Sequence, residues 1–590
     1  MKSSPRAALA SALLAAAAAP LASAGDPPHV ERGGDGRITR LPAAGMGLAD
    51  IDYWQTSWVF ADAMKAAGVA GDDPHGPWGR GDDSLPWPEI GPDELPTGAL
   101  AEGQTLFTNV YVHADGHYPA GRWVLAWDGN AELSVSGDAR GRSGSGRIEL
   151  DVREGGQTHD GMIVRIHSND PADPIRNLRF WTPGNEGAED PIHPRYGETL
   201  EPFSVLRMMD WGRTNLSPLT SWDERPLPGA ASYSGPGGVP YEVMVRAANN
   251  LGKDLWLCVP HRAVDGDPAT EDPYVTKLAQ LVRYGADADG EPYASEQADP
   301  VFPPLDPELS VWLEYSNETW NRGFSTRKKD RDADPMAGQF TYVEARAEEM
   351  GVDEHEANAR LSADLFAGFG EAFGQPERLV RVIAGQANAP QRLKGRLAGL
   401  PTPGEPGGAD VAAIAYYFTP NEMAQAVNAW LFEHNGSFGE EGMDAVFEVL
   451  HDHLQGGQPK SWSANAEAAE AYGVPLASYE GNQHLTMWQA TMDRNDNPHT
   501  EAHPKLEETL VAVCRDDRMH DAYREALSLW VDSGGTTATG FVDVDTWGRS
   551  GNWGHKEYQD QPIEEATLYR ALTGWVGEHA DGFEVNRTRR

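Results

Sequence analysis

Cysteine is nearly absent. The 590 residues contain two, Cys258 and Cys514. An exported chain can join two cysteines, but Cys258 falls in a predicted strand and Cys514 in a distant predicted helix. Two buried free thiols are therefore expected. Neither has CxxC or Cys/His spacing, which excludes the common zinc frameworks. Positive charge is also scarce. Lys and Arg number 48 against 90 Asp and Glu, a net charge of -42, and the isoelectric point is near 4.7. Such a surface repels nucleic acid and anionic membranes. It suits a neutral ligand, or a salty medium in which charge is screened. Long apolar runs are confined to the N-terminus, so no membrane span is expected later in the chain. There is no phosphate loop, no nucleophile elbow and no Gly-x-Gly-x-x-Gly after an early strand. No metal or other cofactor is implied.

The N-terminus reads as a targeting segment. Lys2 and Arg6 precede an apolar run, Ala7 to Ala19, and Ala22-Ser23-Ala24 has the form of a cleavage site. The run is shorter than the roughly 20 residues that a membrane anchor needs. Residues 1–24 are thus expected to be a signal peptide, and the mature chain to be secreted or periplasmic. The oligomeric state is not legible.

At this length a large domain with a smaller module is the natural partition. Residues 25–98 read as a leader and a first β/α unit. They contain a short strand at Gly45 to Ile51 and an amphipathic helix at Tyr53 to Ala67, then a Pro/Gly/Asp-rich loop from Gly71 to Pro96. Residues 99–184 change character: short strands such as Thr105 to Val112 and Gly121 to Trp127 alternate with Gly and Asp turns. That pattern predicts an inserted β-sandwich, either a carbohydrate-binding module or a structural spacer. Residues 185–590 then repeat strand, loop, helix. The predicted strands are Phe203 to Met209, Asp254 to His261, Val311 to Glu318, Leu379 to Ala384, Val411 to Phe418, Val474 to Glu480 and Gly540 to Asp545. With the strand at Gly45 they make eight. The expected fold class is α/β, a (β/α)8 TIM barrel with an inserted β-sandwich domain; an open doubly wound sheet is the runner-up.

Polar residues gather where these strands end, the face on which such a barrel builds its active site. Arg207 lies near the end of the second strand and His261 ends the third. Asn317 and Glu318 end the fourth, Tyr417 lies near the end of the sixth, Glu480 ends the seventh, and Trp547 follows the eighth. Singly, each has a bland reading as a cap, a salt-bridge partner or a structural imidazole. Together they place two carboxylates across one mouth. Two carboxylates are what glycoside hydrolysis requires: an acid for the leaving oxygen, and an ionised group to attack the sugar or activate water. The acidic clusters Asp265 to Asp272 and Asp493 to Asp496 do not fit an EF-hand loop and read as solvated loops.

The stretch Glu314-Tyr315-Ser316-Asn317-Glu318, with Trp320-Asn321, and the stretch Tyr479-Glu480-Gly481-Asn482-Gln483-His484 resemble those of clan GH-A, the retaining (β/α)8 glycoside hydrolases. More closely, they resemble uncharacterised secreted bacterial proteins labelled glycosidase-like or cellulose-binding. The resemblance implies Glu318 as acid/base, its pKa raised, and Glu480 as nucleophile. It implies Asn317, Arg207, His261, Tyr417 and Trp547 as sugar-positioning residues, and a carbohydrate substrate. A non-catalytic carbohydrate-binding protein on the same barrel is the alternative, and a structural surface protein a third. Strand alternation adds one inference. If Glu318 faces the mouth, Glu314 and Trp312 face the barrel interior. A carboxylate buried there needs a partner, and Arg207 is the expected one.

Overall fold

The structure is a computed structural model. It describes residues 29–70, 76–140, 146–153, 161–263, 273–330, 333–493 and 497–585. The expected signal peptide, the cluster from Asp265 to Asp272 and most of the cluster after Asp493 lie outside those residues.

Eight strands form one parallel sheet. They are β1 (Ala44–Gly47), β2 (Val205–Arg207), β3 (Asp254–Val259), β4 (Val311–Tyr315), β5 (Leu379–Gly385), β6 (Val411–Ala415), β7 (Leu476–Glu480) and β8 (Ala538–Phe541). Their spatial order is β7-β6-β5-β4-β3-β2-β1-β8. Backbone bonds join the two ends: Ser478 N donates to Thr537 O at 2.8 Å, and Phe541 N to Gly481 O at 3.1 Å. The sheet is therefore a closed (β/α)8 barrel, and no edge is left to pair with another chain.

Every residue of β3, β4, β6 and β7 is buried. Strands covered on both faces need no polar alternation, which is why they read as near-continuous apolar runs. The interior holds Val205, Trp256, Trp312, Val380, Val382, Val411, Ala413 and Ala477. Trp256 and Trp312 stack with ring centroids 5.1 Å apart. Each indole N–H finds a carboxylate: Trp312 donates to Asp254 at 3.2 Å and Trp256 to Glu314 at 3.1 Å. A small sheet of Glu31–Arg32, Ile38–Leu41 and Phe583–Glu584 lies at the strands' N-terminal ends. It adds Ile38 and Leu41 to the barrel interior, and His29 reaches Asp254 at 3.1 Å. The base is thus plugged, and the C-terminal mouth is the face available to ligands.

Two four-stranded antiparallel sheets stand between β1 and β2, in the orders Gly79–Arg80, Leu106–Val110, Met162–Asn169, Ala131–Gly137 and Arg176–Trp181, Gly121–Asp128, Arg147–Val152, Ala139–Arg140. They share one core, with Leu106 and Val164 from one sheet and Trp123 and Leu125 from the other. The first sheet recruits Gly79–Arg80, upstream of the boundary expected at residue 99.

The helix expected at Tyr53 to Ala67 is not formed; only a 3-10 turn, Ala63–Ala66, appears there. The segment is the seam between barrel and sandwich, and its backbone groups are spent on both. Ala61 N donates to Pro191 O, Thr182 N to Ala61 O, and Gly68 pairs with Asn109. Tertiary partners override the helical spacing. Two long helical stretches, 339–373 and 506–532, are each split in two. Gly351, in the left-handed region (φ +66°), ends Gln339–Met350, and Asp353 caps Glu354–Phe373. Asp516 caps Asp517–Asp532 directly after Leu506–Arg515. Both are ordinary stop and start signals.

Candidate active site

Arg207 ends β2 inside the barrel and is 1% exposed. Its guanidinium ties β2 to β4 and β7. Nε and Nη2 donate to Glu314 Oε2 at 3.2 and 3.0 Å, Nη1 donates to Glu480 Oε2 at 3.2 Å, and Nη2 also donates to Asn317 Oδ1 at 2.9 Å. The expected Arg207–Glu314 pairing is therefore present, with Glu314 2% exposed. Glu314 Oε2 also accepts from Trp256 Nε1 at 3.1 Å and from the Cys258 thiol at 3.4 Å. Burial alone would lower the pKa of Arg207; Cys258, Glu314 and Glu480 reverse that and hold it above its usual range. Burial keeps Cys258 protonated. Both cysteines are buried free thiols.

Glu318 does not arrive by strand alternation. β4 stops at Tyr315, and Ser316 (φ +56°) and Glu318 (φ +39°) both adopt the left-handed region. Such conformations cost of order 1 kcal/mol each and persist where their surroundings over-determine them. Here the surroundings hold Asn317 between them: Oδ1 faces Arg207, and Nδ2 donates to Asn215 at 3.0 Å. Gln339 Nε2 ties down both the Asn215 side chain, at 2.8 Å, and the Asn317 carbonyl, at 3.1 Å. Glu318 then accepts from Tyr479 Oη at 2.8 Å on Oε1 and from Asn321 Nδ2 at 2.8 Å on Oε2.

Glu480 reaches the interior through an irregularity. On β7, Ile414 pairs with Ser478, but Ala415 pairs with Glu480. One extra residue in a strand lets two neighbours share a face, so Tyr479 and Glu480 both turn towards the mouth. Glu480 Oε1 accepts from Tyr417 Oη at 3.0 Å, and Oε2 faces Arg207.

The Glu480 carboxyl is pushed up to about 8 by burial first and by the charge of Glu318 second, against Arg207 and Tyr417. Asp210, just past β2, is raised well above the carboxylate range by burial, then by Asp50 and Glu480. The mouth therefore concentrates more carboxyl groups than it can ionise together, and it retains protons at neutral pH.

The structure gathers Arg207, Asn317, Glu318, Tyr417 and Glu480 into one hydrogen-bonded frame. His261 and Trp547 stand outside it. β3 ends at Val259, and His261 lies in the turn beyond, fully buried. Its Nε2 faces Met336 O at 3.2 Å, its ring packs on Tyr342, and burial lowers its pKa to about 4. It is a neutral imidazole holding a loop. β8 ends at Phe541, earlier than expected, so Trp547 falls six residues beyond it. Trp547 packs against the outer core and donates Nε1 to Gly554 O at 2.9 Å. The aromatic from β8 beside Tyr417 is Phe541, 6.5 Å away between ring centroids.

Sequence reasoning did not assign Tyr479, Asn321 or His484 to the site. Tyr479 had a usable signal: it lies next to Glu480, at a position whose side chain could cross the barrel towards β4. Among the described residues no group of three or more His, Cys, Asp or Glu side chains is arranged to hold a metal ion. Among the described residues no helix is long and apolar enough to cross a membrane.

No family model matches the sequence, and no curated protein matches it. Solved structures do. One is a glycoside hydrolase family 5 enzyme from Prevotella bryantii B14, with 13% identity over 66% of this chain and 87% of that one, at a TM-score of 0.30. Another is a family 10 glycoside hydrolase from Paenibacillus barcinonensis, with 12% identity over 65% and 90% and a TM-score of 0.30. A third is a Bacteroidetes-affiliated family 5 cellulase linked with a polysaccharide utilization locus, with 10% identity over 67% and 87% and a TM-score of 0.32. At this identity and superposition these likenesses add nothing to the barrel, which stands on its own strand order.

Proposed function

We propose that the chain is a secreted retaining glycoside hydrolase acting on a poly- or oligosaccharide. The observation that carries this reading is the shared frame. Carboxylates from β4 and β7 meet in one mouth, each with its own donors, and Arg207 joins β2, β4 and β7 beneath them.

The chemistry assigned to the pair needs one proton between two carboxyls. Glu318 delivers it to the glycosidic oxygen while a Glu480 oxygen attacks the anomeric carbon. The carbon–oxygen bond breaks, the leaving group departs as an alcohol, and a glycosyl ester remains on Glu480. Glu318, now a carboxylate, takes a proton from water, and the resulting hydroxide displaces Glu480. Arg207 and the Tyr417 hydroxyl favour the charge on Glu480 that this attack needs. Asn317, fixed by Arg207 and Asn215, keeps one amide hydrogen for a sugar hydroxyl.

Glu480→Gln is expected to abolish turnover. Glu318→Gln is expected to lose polysaccharide hydrolysis while retaining activity on aryl glycosides with good leaving groups. Normal rates in both variants would remove the assignment. A second reading, a carbohydrate-binding protein without turnover, draws on the raised pKa of Glu480, since a protonated carboxyl cannot attack. Release of reducing ends from β-glucans, mannans or xylans separates the two.

A further inference from the structure

A cavity of 380 Å³ opens beside the carboxylate pair, on the side of the β6 and β7 loops. Its volume lies in the roughly 300–1,000 Å³ range of small-molecule sites. Tyr417 forms its wall towards the pair, since the same residue lines the cavity and donates to Glu480 at 3.0 Å. His484 lies against that wall, its ring stacked on Tyr417 at 4.7 Å between centroids.

The tautomer of His484 follows from its neighbours. Gln489 Oε1 accepts from Thr486 N at 3.3 Å, which turns Gln489 Nε2 towards His484 Nδ1, 3.0 Å away. An amide N–H can only donate, so Nδ1 is the acceptor and the ring proton sits on Nε2. Burial lowers the pKa of His484 to about 4, so the ring stays neutral above mildly acidic pH. Among the described residues no protein group accepts from Nε2. His484 therefore offers one fixed N–H in a half-buried position on the cavity wall.

The remaining lining is of one chemical kind. Asn388, Asn421 and Gln458 present amides. Burial lowers the pKa of His453. Gln458 donates one of its two amide hydrogens to Tyr417 O at 2.9 Å. Among the described residues no Lys or Arg lines the cavity, and Glu422 is its one carboxylate. Neutral donors and acceptors beside a carboxylate match a polyhydroxyl unit and disfavour an anionic one.

We propose that this cavity is a second sugar subsite, taking a neutral pyranose unit joined to the one held over Glu318 and Glu480, with His484 Nε2–H as its positioning donor. The proposal rests on the glycosidase reading, and the test keeps the two apart. His484→Phe preserves a ring on Tyr417 and removes the donor. The wild type and this variant are assayed on cellotetraose, mannotetraose and xylotetraose, and on the matching 4-nitrophenyl monoglycosides. For the hydrolysed series, the ratio of kcat/KM on tetrasaccharide to kcat/KM on monoglycoside is expected to fall about tenfold in the variant. His484→Gln, which can still donate, is expected to recover part of it. An unchanged ratio overturns the subsite. If the wild type hydrolyses none of these, the catalytic reading fails on its own. The same tetrasaccharides, with tetragalacturonate as the anionic control, are then titrated calorimetrically into both proteins. Neutral-sugar binding that weakens about tenfold in His484→Phe sustains the subsite. No binding by the wild type, equal binding by the variant, or preference for tetragalacturonate overturns it.

Discussion

Tyr479 Oη donates to Glu318 Oε1 at 2.8 Å, so the residue beside one carboxylate holds the other in place. The Tyr479 ring also lies under the Arg207 guanidinium, 5.1 Å from its centroid, and packs edge-on against Trp320. One side chain from β7 thereby fixes the tip of β4, and the two carboxyls move as parts of a single frame.

Tyr479→Phe removes that hydroxyl and leaves the ring. Hydrogen bonds to charged groups are worth about 1.5–3 kcal/mol. On the glycosidase reading kcat/KM should therefore fall about ten- to a hundredfold, with little change in Tm because the packing is kept. Steady-state kinetics beside thermal melting check both halves. Wild-type kinetics in the variant would mean that Glu318 is positioned without Tyr479.

Arg207→Met strands Glu314 and Glu480 as buried carboxylates without their cation. Breaking a buried ion pair from one side costs about 3–5 kcal/mol, whereas replacing both partners by apolar residues is often neutral. The variant should lose stability on that scale in urea, and adding Glu314→Met should restore part of the loss. If the double variant is no more stable than Arg207→Met alone, Glu314 is not the partner that matters.

Stability should depend on pH with a sign fixed by the buried groups. Burial raises Asp543 to about 6, Asp545 to about 7 and Glu480 to about 8. A raised acid binds more protons folded than unfolded, so its stabilisation is present at low pH and is lost as pH climbs to the folded value. Burial lowers His193, His261, His484 and His555 to about 4. A depressed base works the other way, and its stabilisation is lost as pH falls from about 6.5 to 4. The two sets partly cancel below pH 6.5. Between pH 6.5 and 8 Asp545 and Glu480 titrate, while Lys65 and Lys556, lowered by burial to about 8, oppose them only towards the upper end, so Tm should fall there, and Glu480→Gln should flatten the slope. A Tm that rises across that interval would contradict the burial of these carboxyls.

Much of this arrangement was legible in the residues, for a physical reason. Buried parallel strands announce themselves as short apolar runs, and all eight were found within a few residues of their observed ends. The Arg207–Glu314 pair followed from alternation along β4 and from the cost of an unpaired buried charge. The illegible parts depend on distant partners. Nothing local marks the extra residue on β7 that turns Glu480 inward, or the two left-handed residues that carry Glu318 past the end of β4. Tyr53 to Ala67 has helical spacing, yet its backbone is committed to distant residues such as Thr182 and Pro191. Trp547 stands six residues past β8 because that strand ends four residues before the predicted boundary.

The pH dependence of turnover tests which carboxyl titrates in the mouth. On the glycosidase reading the working form of the pair carries one proton, and the values observed belong to the pair. The last proton leaves near pH 8, so kcat/KM should decline above that point. Tyr417 donates to Glu480 at 3.0 Å and favours its charge. Tyr417→Phe should therefore move the alkaline decline to higher pH. It should also lower the plateau, because more of the one-proton form then keeps its proton on Glu480, where it blocks attack. Rate profiles of the two proteins on one aryl glycoside make the comparison. A decline that stays at the same pH in Tyr417→Phe would assign it to a group other than Glu480.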